Sequence, residues 1–253
     1  FSVSNFSEVI SLCEDLTKND PAGELKVASL VKGLANAMKN YEGNIEGMKK
    51  THFLQKKLDF EKEFMAWANS TPDRKSRYSD ILAREKQQYD LLAKTADRDN
   101  VFTILTGLAG TMTGVASQVY NIAKELEKPE DQRQPGLTEE ALKEFSEGLS
   151  YNYNDYYEPV DKAMLLRVLK MAEALPADQR ITGLDFIFNT KDFTTEEWVE
   201  DAYLSSRMKD PEFARSLIGK PVSEIEKTGD PFIMIAAGIY PMSEEIAENS
   251  RSF

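Results

Sequence analysis

The stretch VASLVKGLANAMKNYEGNIEGM, running from Val27 to Met48, decides the fold class. Its apolar residues Val27, Val31, Leu34, Met38, Tyr41, Ile45 and Met48 recur at spacings of 4, 3, 4, 3, 4 and 3. An α-helix turns once per 3.6 residues, so this spacing holds one stripe against a partner helix over several turns. Asp20-Pro21 marks the start, because aspartate caps a helix and proline fits its first turn. Gly43 and Gly47 weaken the middle. The pattern resumes at Phe53, Leu54, Leu58, Phe64 and Met65 and stops near Asn69-Ser70-Thr71-Pro72, which predicts a long helix near residues 22–68.

A second seam, Val101, Leu105, Leu108, Met112, Val115, Val119, Ile122 and Leu126, predicts another long helix near 101–127. Its first half carries Gly107, Gly110 and Gly114. Each glycine costs a helix about 1 kcal/mol against alanine, so close approach of another backbone is expected there. A glycine-rich phosphate loop is excluded, since no strand precedes and no Gly-Lys-Ser/Thr follows. Residues 73–94 read as a further helix with Tyr78, Ile81, Leu82, Tyr89 and Leu92 on one side. A polar connection over 125–137 contains Pro129, Pro135 and Gly136, and Thr138-Glu139-Glu140 then opens the next helix. Met164, Leu165, Val168, Leu169 and Met171 make another stripe, ended by Leu175-Pro176. Shorter helices follow over 195–208, 211–217 and 231–240, the last closed by Pro241. No strand ladder or fixed repeat is visible. The fold class is all-α: a bundle of long antiparallel helices with a more irregular C-terminal third.

The 253 residues suffice for one large or two modest cores. They are 41 % hydrophobic and 29 % charged, with a mean hydropathy of −0.47, as in ordinary soluble proteins. The longest apolar run, Phe232 to Ala237, is a buried helix core and far too short to span a bilayer. A net charge of −12 opposes nucleic-acid binding, which relies on clustered Lys and Arg to displace counterions. Cys13 is single, so no intramolecular disulfide forms and the compartment is not fixed by cysteine usage. Placed between Leu12 and Glu14, it reads as an inert, half-buried thiol. The chain opens at Phe1 without an initiator methionine or signal peptide, as a piece from mid-protein would.

Residues for chemistry are scarce. His52 is the single histidine, and neither Gly-Asn-Ser-Gly nor Gly-Asp-Ser-Gly occurs, so no catalytic serine–histidine set is readable. No His/Cys spacing suggests zinc, and the acid pairs Glu196-Glu197 and Glu244-Glu245 lack a calcium-loop pattern. No metal or cofactor is expected. The run Tyr151-Asn152-Tyr153-Asn154-Asp155-Tyr156-Tyr157 reads as a helix face whose tyrosines bury their rings and hydrogen-bond at the rim; a peptide-contacting role is the alternative. Asn36 and Asn40 stand one turn apart on a flank of the first seam. They are either a solvated face or a pair of carboxamides offered to a ligand.

At these residues the chain resembles the helical region of the bacterial dipeptidyl peptidases of types VII and XI, serine peptidase family 46. The resemblance is carried by Asn36, Lys39, Asn40, Gly43, Gly47 and Met48, by Lys128-Pro129 through Arg133 and Pro135-Gly136, and by Asp161-Lys162-Ala163 onward to Leu175-Pro176-Ala177-Asp178-Gln179-Arg180. It implies a single helical cap domain over 1–253, cut from an enzyme whose double β-barrel carries the catalytic serine, histidine and aspartate. Such enzymes remove dipeptides from free amino termini in the periplasm or at the cell surface. The implied partners are the catalytic β-barrel and the amino terminus of a peptide substrate. In that family an asparagine of the helical domain helps bind the terminal ammonium; by motif position it is Asn36, with Asn40 the near alternative. Two rival readings are a stand-alone all-α interaction module and an all-α enzyme dependent on a metal or on carboxylates.

Overall fold

The computed structural model describes residues 2–190 and 193–251; Phe1, at which the sequence opens, lies outside them. Fourteen α-helices are present among the described residues, with no strand. They are α1 (Ser2–Thr17), α2 (Pro21–Lys50), α3 (Phe53–Ala68), α4 (Pro72–Tyr78), α5 (Ile81–Ala93), α6 (Ala96–Leu108) and α7 (Thr111–Glu127). Then follow α8 (Glu139–Gly148), α9 (Glu158–Glu173), α10 (Asp185–Phe188), α11 (Thr195–Ser205), α12 (Pro211–Leu217), α13 (Val222–Glu226) and α14 (Pro231–Arg251). The all-α expectation holds, and the C-terminal third combines short helices and 3-10 turns, such as Ala177–Gln179 and Thr182–Leu184, with the 21-residue α14.

The chain divides into two compact units, residues 1–11 with 28–97 and residues 12–27 with 98–253. In the first, the seam of α2 is buried at Leu34 and partly buried at Val31 and Met38. Beyond this it emerges: Tyr41, Ile45 and Met48 are 48 %, 42 % and 46 % exposed, although the Phe6 ring lies 6.0 Å from that of Tyr41. Periodicity fixed which face is apolar but not how far a partner covers it. Leu34→Ala is therefore expected to destabilise by about 2–5 kcal/mol, and Leu108→Ala likewise, since each is 8 % exposed. Ile45→Ala should stay within about 0.5 kcal/mol, and a chemical-denaturation series on the three variants checks both ranges.

The long helix expected over 22–68 is two helices. His52 adopts φ 51°, ψ 38°, in the left-handed region, and ends the helical path between α2 and α3. The Thr51 hydroxyl donates back to Gly47 O at 2.9 Å, a local bond that competes with helix continuation. The stop after α3 falls as read: Thr71 caps α4, accepting from Arg74 N, with Pro72 in the first turn. There Phe64, Trp67 and Tyr78 form an aromatic cluster, Trp67 and Tyr78 being 5.3 Å apart between centroids, with the Arg74 guanidinium 4.7 Å above Trp67. The helix expected over 73–94 is likewise split, at Ser79-Asp80, between α4 and α5.

The second unit is organised around α7, whose predicted seam residues Met112, Val115 and Val119 are buried. It packs chiefly against α14, where Phe232, Ile233, Ile235, Ala236 and Ile239 are buried. The helix predicted over 101–127 is also broken, at Gly110, with φ 95° and ψ 173°. Nothing lies within 4 Å of a Cβ built on Gly107 or Gly114, so no backbone approaches either one. The close approach occurs elsewhere: a Cβ on Gly183 would fall 1.8 Å from Gly238 O, and one on Gly238 2.1 Å from Gly183 O. Pro241 does not close its helix; α14 continues through it to Arg251. One backbone hydrogen bond is lost there, while burial of Ile239 and Met242 on either side holds the path.

Candidate functional site

Asn36 and Asn40 lie exposed on α2, in the first unit. Asn40 Oδ1 accepts from Asn44 Nδ2 at 3.2 Å, one turn further on, while the Asn36 carboxamide has no hydrogen-bond partner among the described residues. Residues three and four apart share a helix face, so Gly33, Gly43 and Gly47 fall beside these asparagines. A Cβ at any of these glycines would meet nothing within 4 Å. The face is thus low in side-chain bulk and rich in carboxamides, each of which both donates and accepts, with Lys32 and Lys39 on the flank of Asn36. Asn44 escaped the sequence reading, although the recurrence of asparagine at 36, 40 and 44 was there to be read.

The tyrosine run forms a 3-10 turn, Leu149–Tyr153, and the entry to α9, where an α-helical face was expected. Tyr153 Oη donates to Met208 O at 2.7 Å and Tyr156 Oη to Glu158 at 3.3 Å. Tyr157 Oη donates to Asp20 Oδ2 at 2.8 Å. Asp20 also accepts from Ala22 N and Gly23 N, capping α2. The Gly23 amide first, then the Tyr157 hydroxyl, holds that carboxyl below its ordinary range. A side chain on Gly23 would strike the Tyr157 ring, since Cζ lies 2.7 Å from the ideal Cβ. Three tyrosines are therefore half-buried, short of the burial expected, and hydrogen-bond as expected, while Tyr151 alone of the four is exposed, at 73 %.

Asp161 is the buried charge the sequence did not single out. It accepts from Thr111 N, from Met112 N at 3.3 Å and from Tyr203 Oη at 2.7 Å, satisfying the first amides of α7. Burial pushes its carboxyl up, against the pull of these donors. Gly110 makes room, because its Cβ would sit 2.6 Å from Asp161 Oδ1. Asp230 plays the same part for α14, accepting from Ser206 Oγ, Arg207 N and Phe232 N. Both are structural caps.

His52 sits exposed on the left-handed turn and makes no hydrogen bond to a serine or carboxylate among the described residues. No cluster of three or more His, Cys, Asp or Glu among the described residues is arranged to hold a metal. Cys13 is wholly buried, where half-burial was expected, and desolvation pushes its thiol up to about 11. Among the described residues no helix is long and apolar enough to cross a membrane.

Comparison with known proteins then decides the family, because the family model for peptidase S46 matches residues 2–253. The chain belongs to the peptidase S46 family. It is 27 % identical over 231 residues to an Asp/Glu-specific dipeptidyl-peptidase of Shewanella putrefaciens, covering 88 % of this chain and 30 % of that protein. It is 24 % identical over 219 residues to dipeptidyl-peptidase 7 of Capnocytophaga gingivalis, covering 86 % of this chain and 29 % of that protein. The chain thus spans about three-tenths of the length of these curated relatives. The part of the S46 family represented here is a helical region.

Proposed function

We propose that this chain is the cap domain of an S46 serine dipeptidyl peptidase, covering the catalytic cleft and helping to hold the substrate's amino terminus. The observation that carries the reading is the family match along residues 2–253 of an all-helical chain whose His52 has no nucleophile beside it. The serine, histidine and aspartate then belong to a β-barrel partner domain, and the chain alone is inactive toward peptides. The names of both relatives, an Asp/Glu-specific dipeptidyl-peptidase and a dipeptidyl-peptidase 7, support removal of dipeptides as the activity. The enzyme works in the periplasm or at the cell surface, a reading supported by its membership of a bacterial S46 family.

Asn36 receives the substrate's ammonium, with Asn40 as its one-turn alternative. An exopeptidase must accept a terminal ammonium, and a carboxamide oxygen does so without burying a second charge. Asn36 is exposed and uncommitted, whereas the Asn40 oxygen is already engaged by Asn44, which favours Asn36. In the full-length enzyme, Asn36→Ala is expected to lower kcat/KM by about one to two orders of magnitude through loss of a charge-assisted bond. The loss should be larger for substrates with a free amino terminus than for blocked ones, with the thermal transition unchanged. A crippling Asn40→Ala with a silent Asn36→Ala would shift the register by one turn. Two silent variants would leave the ammonium to the barrel.

A stand-alone interaction module is the second reading, favoured by the exposed apolar side chains of Met48, Phe53, Leu54, Leu58 and Phe60. Dipeptide release by the full-length protein, abolished by replacing its barrel serine, separates the two.

A further inference from the structure

We propose that the cleft between the first turns of α7 and the tyrosine turn binds a basic segment of a polypeptide. The cleft, about 340 Å³, is lined by Thr111, Gly114, Gln118, Tyr151, Asn152 and Asp155, all within the second unit. Its volume lies at the lower end of the range of small-ligand sites.

Three observations converge there. Gly114 lies inside α7, where glycine is less favourable than alanine, yet a Cβ at this position would meet nothing within 4 Å. The fold itself makes no use of the missing side chain, and Gly114 forms part of the cleft wall. Tyr151 is 73 % exposed on a turn pinned through the hydroxyls of Tyr153, Tyr156 and Tyr157. Three tyrosines fix the loop and the fourth is presented on it, a preorganised aromatic surface. The polar lining completes the match. Gln118 and Asn152 each donate and accept, as peptide N–H and C=O groups require.

Charge selects among ligands. Asp155 is an acceptor alone, no cation lines the cleft, and the chain carries a net charge of −12. Lys26 of α2 reaches this turn and spends its ammonium on the Asn154 carbonyl. A guanidinium or ammonium is served by both the Asp155 carboxylate and the face of the Tyr151 ring. An acidic segment would meet Asp155 without compensation. A sugar would use the ring and the amides but gain little from the charge. The inference rests on the cleft alone and is independent of the role given to Asn36.

The test titrates the 253-residue chain with acetyl-glycyl-arginyl-alanine amide, followed by NMR or calorimetry. Its blocked amino terminus keeps any ammonium-binding site out of the measurement. Saturable binding is expected, at least about tenfold tighter than for the glutamyl counterpart, and absent for maltotriose. Tyr151→Ala and Asp155→Asn should each weaken it about five- to tenfold, the range of a cation–π contact or an exposed charge-assisted bond. Gly114→Ala should raise Tm by about 2–4 °C while weakening binding, and Gly114→Leu should abolish saturation. Higher stability with lower affinity is a pairing that a purely structural glycine does not give. No saturable binding of the arginyl peptide, equal binding of the glutamyl peptide, preferential binding of maltotriose, or wild-type affinity in Gly114→Leu would each overturn the proposal.

Discussion

Asp161→Ala is expected to destabilise the protein by about 3–5 kcal/mol, a loss on the scale of breaking a buried charged network. The side chain is 4 % exposed and satisfies two amides at the start of α7 together with the hydroxyl of Tyr203, itself wholly buried. Alanine leaves these three donors facing a cavity, and each unsatisfied buried donor costs about 1–3 kcal/mol. Asp161→Asn keeps an acceptor and the volume, so its loss should be smaller. Tyr203→Phe removes one donor and preserves the edge-on contact with Phe232, centroids 5.1 Å apart, so it too should cost less than Asp161→Ala. Denaturant unfolding followed by circular dichroism gives all three values. A loss below about 1 kcal/mol for Asp161→Ala would mean that water satisfies the start of α7 and that the carboxylate is not structural.

Gly183→Ala and Gly238→Ala form the second large effect. Ordinary overpacking costs about 1–3 kcal/mol because flexible side chains give way. Here each methyl would meet a carbonyl oxygen of the opposite backbone, at 1.8 Å and 2.1 Å, so the 3-10 turn at Thr182–Leu184 must separate from α14. A loss above about 3 kcal/mol is expected for either variant, lowering Tm by roughly 6–12 °C for a chain of this size. Gly107→Ala is the control. No atom lies within 4 Å of its Cβ position, and it sits in the last turn of α6 without a positive φ, so alanine should stabilise by less than about 1 kcal/mol. Thermal melts of the three variants give opposite signs from the same chemical change. If Gly183→Ala and Gly107→Ala shift Tm alike, the two backbones do not meet as described.

Helical content was legible because amphipathic spacing is local: Val115, Val119 and Met112 had to share a face whatever they touched, and they are buried together. Caps were legible for the same reason. Asp20 and Thr138 each accept an amide within the next three residues, as their types and positions implied. The breaks at His52 and Gly110 were not, since a single left-handed residue leaves the apolar spacing on either side intact. Asn36 and Asn40 could be placed on one flank of a helix, but the pairing of Asn40 with Asn44 is a rotamer choice that sequence does not encode.

What the sequence by itself determined is the fold class, the apolar face of each helix, the lack of a readable catalytic serine–histidine set, and the likeness to its family. These depend on residue type and short-range spacing alone. What tertiary structure decided is where the seam of α2 loses its cover, which glycines permit backbones to meet, and which acids among 43 are buried as caps. Each of these joins residues far apart in the chain: Gly183 to Gly238, and Asp161 to Thr111 and Tyr203. An isolated glycine or aspartate looks the same in sequence whether it faces solvent or, as Gly183 and Asp161 do, the Gly238 carbonyl oxygen and the Thr111 amide. The energy that distinguishes the two cases arises only once packing brings the partner within van der Waals reach.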